Sequence, residues 1–305
     1  MGQPALWMKA WLVLRSLVAV VVVLAALLYL GQNRVIFFPI RLPGPPPLPP
    51  VHGQIWQDVM FPTADGSLLH GVYVSIASST GPGAGVRSND APVARHVLLY
   101  SHGNAGHLGM RFPRIAALVA TLPLDVFIYD YRGFGASQGR PTVAGAVEDG
   151  EAALRWLHTQ RGVEPERVIL FGESLGTGIA TALAAPRLDR IAGLVLESGF
   201  RSLSWRAGRR FPLIGPLVLS RDLPSTGILS GYHGPLLVIH SRDDEVIPFA
   251  DGEALLAAAP TSSKHHLWLD GVGHNDPVWE LPAYIEAWRG FLTHVATAAG
   301  MRGRP

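Results

Sequence analysis

Along the chain, apolar residues fall first into one long run and then into a series of short ones. The long run, "WLVLRSLVAVVVVLAALLYL" from Trp11 to Leu30, carries a single charge, Arg15. As a helix, ~20 residues span ~30 Å, the thickness of a bilayer's hydrocarbon core. Arg15 lies near its start, where it can snorkel, and Trp7, Trp11 and Tyr29 suit the two interfaces. The run ends in the bulky "LLYLGQNR" and not in a small-residue cleavage site, which predicts an anchor over a cleaved signal peptide. Residues 1–34 are assigned to that anchor. Lys9 and Arg15 precede Arg34 and Arg41, and the amino terminus adds one more charge on their side. That balance predicts N-in orientation, with the main domain on the exocytoplasmic side.

The short runs have a different rhythm. "LLHGVYVS" (68–75), "HVLLYS" (96–101), "DVFIYD" (125–130), "RVILFG" (167–172), "GLVLES" (193–198), "PLLVIH" (235–240) and "HHLWLD" (265–270) recur between longer segments. Most show no polar alternation, which fits strands buried on both faces of a parallel sheet. Between them, "TVAGAVEDGEAALRWLHTQ" (142–160) and "ALLAAAP" (254–260) read as helices, and "ELPAYIEAWRGFLTHVATAA" closes the chain as an amphipathic one. The pattern predicts an α/β domain over 55–298 with a mostly parallel, doubly wound sheet. Residues 35–54 include the Pro-rich "FFPIRLPGPPPLPP", expected to be an extended linker that spaces the domain from the membrane. The Gly/Ser/Pro-rich stretch 78–92 reads as a surface loop. The interval 199–233 lacks a strand and is expected to form a small lid at the sheet's carboxyl edge.

Composition narrows the picture only slightly. The 305 residues are 48% hydrophobic, enough for one sizeable core. A formal charge of +2, with the cations dispersed along the chain, offers no nucleic-acid stripe. No cysteine is present, which excludes disulfides, thiolate catalysis and Cys-ligated metals.

Candidate chemistry starts at "LFGESLGTGIA" (170–180), where Ser174 sits between two glycines, directly after a buried run and before a helical one. A nucleophile elbow needs that strand–turn–helix setting. A serine hydroxyl is a weak nucleophile and needs a base, and "GVGHND" (271–276) supplies His274 just after the last strand. The imidazole in turn needs a carboxylate, and "HSRDDEVIP" offers Asp243, Asp244 and Glu245 after the preceding strand. Spacing alone does not choose among these acids. His240 ends that strand and is expected to shape the loop. For the oxyanion, the backbone N–H of Leu175 follows the nucleophile, and Asn104 in "YSHGNAG" (100–106) offers a second donor.

These motifs together resemble the α/β-hydrolases of the serine-aminopeptidase-like and ABHD type, membrane-tethered serine hydrolases that include protein depalmitoylases. The resemblance covers about residues 55 to 292 and rests on "SHGNAGHLGMR", "YDYRGFGASQG", "GESLG", "LESGFRSL", "HSRDDEVIP" and "GVGHND". It implies an α/β-hydrolase fold with Ser174 as nucleophile and His274 as base. It also places the acid on Asp244, four residues after His240. Asp130 and Arg132 of "DYRGFGAS" match a structural turn. Some depalmitoylases of the group are tethered through acylated cysteines, which this chain lacks, so the hydrophobic helix takes that role.

The expected function is hydrolysis of a carboxylic ester or thioester in a small-molecule or lipid-like acyl substrate. No cofactor is expected, and no metal, since the histidines lack spacing such as H-E-x-x-H. Two alternatives stand beside it. An aminopeptidase-like amide hydrolase would want an acidic lid residue, yet Arg201, Arg206, Arg209, Arg210 and Arg221 face only Asp222 there. A catalytically silent, membrane-tethered binding protein on the same fold is the other. The lid arginines themselves read either as solvated charge or as an attractor for anionic groups.

Overall fold

The computed structural model describes residues 3–77, 95–212 and 214–302. The loop expected at 78–92 lies outside the described residues. The long apolar run lies within a single helix, α1 (Gln3–Ile36), so its end passes the boundary expected at residue 34. This helix is long and apolar enough to cross a membrane. Its described side chains from Trp7 to Leu24 are all exposed. Less exposed positions appear only near the end, at Ala25, Leu28, Gln32 and Ile36 among others. That spacing puts one stripe against the domain.

The strands are β1 (Phe38–Pro39), β2 (Gln54–Pro62), β3 (Leu68–Ile76), β4 (His96–Ser101), β5 (Ala105–Gly106), β6 (Leu124–Tyr129), β7 (Val168–Glu173), β8 (Gly193–Glu197), β9 (Leu236–Ser241) and β10 (Lys264–Leu269). Eight form one sheet in the order β10-β9-β8-β7-β4-β6-β3-β2. It is parallel from β10 to β6, while β3 runs antiparallel to both β6 and β2. The helices are α2 (Phe112–Thr121), α3 (Val143–Arg161), α4 (Leu175–Ala184), α5 (Leu203–Arg210), α6 (Ser225–Leu229), α7 (Phe249–Ala258) and α8 (Pro282–Arg302).

Two buried layers flank the sheet. One packs Leu170, Leu194 and Val238 against α3 and α4 through Ala153, Leu157, Ile179 and Leu183. The other packs Ile169, Val195 and Ile239 against α2 and α8 through Ile115, Trp288 and Phe291. Alternate residues of each strand thus serve opposite layers, which is why these runs show no polar alternation.

The first part of the Pro-rich segment does not stand off the domain as a spacer. Phe37 is buried, and β1 pairs in parallel with β5 in the loop after β4. Phe38 N–H donates to Asn104 O at 2.8 Å, Ile40 N–H to Gly106 O at 3.0 Å, and Leu42 N–H to Gly135 O at 2.8 Å. The extended backbone that proline favours leaves these N–H groups available, and the loop carbonyls take them. The end of α1 and the candidate oxyanion loop are therefore one hydrogen-bonded unit.

Candidate active site

Ser174 occupies the sharp turn between β7 and α4 with φ 52° and ψ −116°, a region that L residues rarely adopt. The flanking glycines make the turn possible. A Cβ on Gly176 would lie 1.9 Å from the Ser101 carbonyl oxygen, and one on Gly172 would lie 2.4 Å from the Gly176 oxygen. Both obstacles are backbone, so no side-chain adjustment relieves them. Ser174 N–H donates to Glu197 O at 2.9 Å, and its carbonyl accepts the Thr177 hydroxyl at 2.6 Å.

The serine meets the histidine selected by sequence. Ser174 Oγ lies 3.0 Å from His274 Nε2, and His274 Nδ1 lies 2.8 Å from Asp244 Oδ2. The other Asp244 oxygen accepts the N–H groups of Val246 at 2.9 Å and Ile247 at 2.7 Å. Burial by itself would raise the Asp244 pKa. The His274 hydrogen bond and the two backbone donors outweigh it and hold the carboxyl below its ordinary range.

The neighbouring acids do other work. Asp243 Oδ2 accepts Gly271 N–H at 2.6 Å, fastening the two loops together. Glu245 Oε2 accepts the backbone N–H of His274 at 3.0 Å, so it positions the histidine loop. His240 is fully buried, and its Nε2 lies 2.9 Å from Ile247 O, which shapes the acid loop as expected. Asp130 accepts Leu108 N–H at 2.7 Å, and Arg132 joins Asp149 at 2.9 Å, both structural contacts.

Leu175 and Asn104 both line the cavity that holds Ser174. Among the described residues, neither backbone N–H is taken up by a protein acceptor. The Asn104 side chain is engaged elsewhere: its Nδ2 donates to Ile36 O at 3.1 Å, at the end of α1.

Sequence reasoning missed the charged cluster beneath the elbow. Glu173, the residue before the serine, accepts Arg111 Nε and Nη2 at 3.3 and 3.2 Å and the Tyr100 hydroxyl. Arg111 also donates to Ala105 O at 3.1 Å, linking the elbow to the oxyanion loop. Behind it, Arg114 pairs with Glu197 at 2.8 Å, and Tyr284 donates to Glu197 at 2.8 Å. Burial alone would raise the Glu173 pKa, but Arg111 and Arg114 prevail and lower it from 4.5 to about 2.

A depressed carboxylate stabilises the fold above its unfolded pKa and loses that contribution as pH falls through its folded one. The stability difference between the full-length protein and Glu173→Gln, measured by denaturant unfolding in detergent, is therefore expected to shrink from pH 4.5 to about 2. A difference that does not change across this window contradicts the assignment.

The cavity above Ser174 measures about 450 Å³. One wall comes from the segment expected to be a lid, through Phe200, Leu203, Ala207 and Val218. Its lone acid is occupied: Asp222 accepts Ser204 N–H at 2.9 Å and the Ser204 hydroxyl at 2.6 Å, capping α5. Two of its arginines are held by the protein rather than free in solvent. Arg201 pairs with Asp251 at 3.0 Å, and Arg206 donates to Val246 O at 2.8 Å. The opposite wall is the surprise, since Leu28, Gln32, Val35 and Ile36 belong to α1. Among the described residues, no cluster of side chains suits a metal ion.

Comparison with known proteins places this geometry in a family. The profile for serine aminopeptidase, S33, matches residues 92–226. Alpha/beta hydrolase domain-containing protein 17B of Homo sapiens is 36% identical over 206 residues, covering 67% of this chain and 68% of its own. The chain belongs to the α/β-hydrolases of the ABHD type. An uncharacterized protein of Mycobacterium tuberculosis is 36% identical over 269 residues, covering 87% of this chain and 88% of its own. Among solved structures, an esterase of Pyrococcus furiosus shares the fold with a TM-score of 0.62 at 18% identity, covering 84% of this hydrolase chain and 98% of its own.

Proposed function

We propose that this α/β-hydrolase is a membrane-anchored serine hydrolase that cleaves a carboxylic ester or thioester through an acyl-enzyme. The observation that carries the reading is the relay from Ser174 Oγ through His274 to Asp244, with contacts of 3.0 and 2.8 Å. Ser174 Oγ attacks the carbonyl carbon as His274 Nε2 takes its proton, and Asp244 stabilises the imidazolium. The N–H groups of Leu175 and Asn104 stabilise the oxyanion. When the tetrahedral intermediate collapses, His274 gives the proton to the leaving oxygen or sulfur. Water then attacks the acyl-Ser174 ester, again losing its proton to His274, and the acid departs as Ser174 recovers its hydrogen. The bare apolar length of α1 supports a single-pass anchor. Lys9 and Arg15 support N-in orientation, with the hydrolase domain on the exocytoplasmic side.

Two features weigh against the alternatives. Glu173, the carboxylate lining the cavity, is neutralised by Arg111, so it is a poor receiver for a substrate amine. A silent binding protein would gain nothing from holding Ser174 at φ 52°, a conformation that costs about 1–3 kcal/mol.

A common intermediate provides the test. With hydroxylamine competing against water, p-nitrophenyl butyrate and a butyryl thioester are expected to give the same ratio of hydroxamate to butyrate. Both substrates pass through the same butyryl-Ser174. A ratio that depends on the leaving group contradicts the acyl-enzyme.

A further inference from the structure

The wall that α1 gives to the catalytic cavity has a consequence for substrate. Ser174 and Leu28 line the same cavity, and Leu28 and Ile36 on its α1 side are separated by ~12 Å along the helix. Leu28 lies inside the apolar run Trp11–Leu30, whereas Gln32 follows it. With ~20 residues of α1 spanning the hydrocarbon core, Leu28 sits within it and Gln32 at headgroup level. Val35 faces the cavity while 56% exposed, so this wall is open on its outer side.

The helix end is not loosely apposed to the domain. Gln32 is 7% exposed, and its Oε1 accepts Ser220 N–H at 2.8 Å from the segment that builds the facing wall. Ile36 O accepts Asn104 Nδ2, and the chain then pairs with the oxyanion loop. The helix that would enter the bilayer is thus held in fixed register with the nucleophile.

Resting on the hydrolase reading above, we infer that the substrate is a bilayer-resident acyl ester or thioester whose chain slides from the membrane along α1 into the cavity, with Leu28 and Val35 setting the chain length accepted. An acyl chain is the occupant this wall fits. The groove is apolar at its membrane end and polar near Ser174, and it is continuous with a helix face that no other described residue covers. A chain taken up this way exchanges lipid contacts for cavity contacts without crossing water, so its extraction carries little hydrophobic penalty.

The test uses the full chain reconstituted in phosphatidylcholine vesicles, with p-nitrophenyl palmitate and p-nitrophenyl acetate as substrates. Active sites are counted by labelling of Ser174 with a fluorophosphonate, so that misfolded protein does not enter the rates. Leu28→Trp, which fills the membrane end of the groove, is expected to lower the palmitate-to-acetate ratio of kcat/KM by about tenfold or more. Leu17→Trp, on the bare part of the same helix, is expected to leave that ratio unchanged. A ratio insensitive to Leu28→Trp, or one that falls equally in both variants, overturns the inference. Wild type that hydrolyses acetate but not palmitate also overturns it, while leaving the hydrolase reading intact. Folded wild type that hydrolyses neither ester overturns both.

Discussion

Ser174→Ala is expected to lower kcat by about 10⁶ on any ester the wild-type protein turns over. The substitution removes one oxygen and alters little else. The elbow is fixed by its glycines and by Ser174 N–H on Glu197 O, and neither depends on the side chain. The fold and the unfolding midpoint should therefore survive, while covalent catalysis is lost. The residual rate would come from the N–H groups of Leu175 and Asn104 acting on a water-driven reaction. The check is a progress curve at high enzyme concentration, run beside an unfolding curve. A variant that stays folded and retains most of its activity would show that the serine is not the nucleophile.

The second large effect is expected from Asp244→Asn, a loss of about 10⁴ in kcat. The physical reason lies in the two sides of the carboxylate. One oxygen accepts the N–H groups of Val246 and Ile247, and an asparagine must keep its carbonyl oxygen there. Its NH₂ group then faces His274 Nδ1, which must become an acceptor, and the ring proton moves to Nε2. With a proton already on Nε2, His274 cannot take one from Ser174. Asp243→Asn serves as the contrast. That residue touches Gly271 N–H and not the imidazole, so a far smaller loss is expected. Kinetics of the two variants at equal folded concentration separate the acids, and equal losses would place the acid elsewhere.

How far these features were legible in the sequence depends on the element. The parallel strands were readable because each is buried on both faces, leaving uninterrupted apolar runs from "HVLLYS" to "PLLVIH". The edge strand β2 was not, because "QIWQDVMFP" keeps most of its residues partly or fully exposed and carries mixed polarity. The serine and histidine were legible because each follows a strand in a turn with small residues. The choice of Asp244 over Asp243 needed the family resemblance. Two adjacent acids carry the same pattern signal, and the backbone N–H groups that orient one of them appear only in three dimensions. The Glu173 cluster was invisible for another reason, since its partner Arg111 is 62 residues away in sequence.

The contribution of α1 to the cavity is the deepest of these omissions. A helix that is apolar all round gives no hydropathic contrast between the face that meets lipid and the face that meets protein. Gln32 is a polar hint on that stripe, and its bond to Ser220 spans 188 positions. The Pro-rich segment misled in the opposite sense. Its composition describes extended backbone correctly but says nothing about which loop that backbone will pair with.

The central claim is that Ser174 is an activated nucleophile, and covalent capture by a fluorophosphonate tests it most directly. The full-length protein in mild detergent is incubated with the probe, digested, and the adduct located by peptide mass spectrometry. The account predicts one phosphonyl group per folded protein, on the peptide that contains Ser174. Folded protein with no adduct, or with the adduct on another residue, would contradict it.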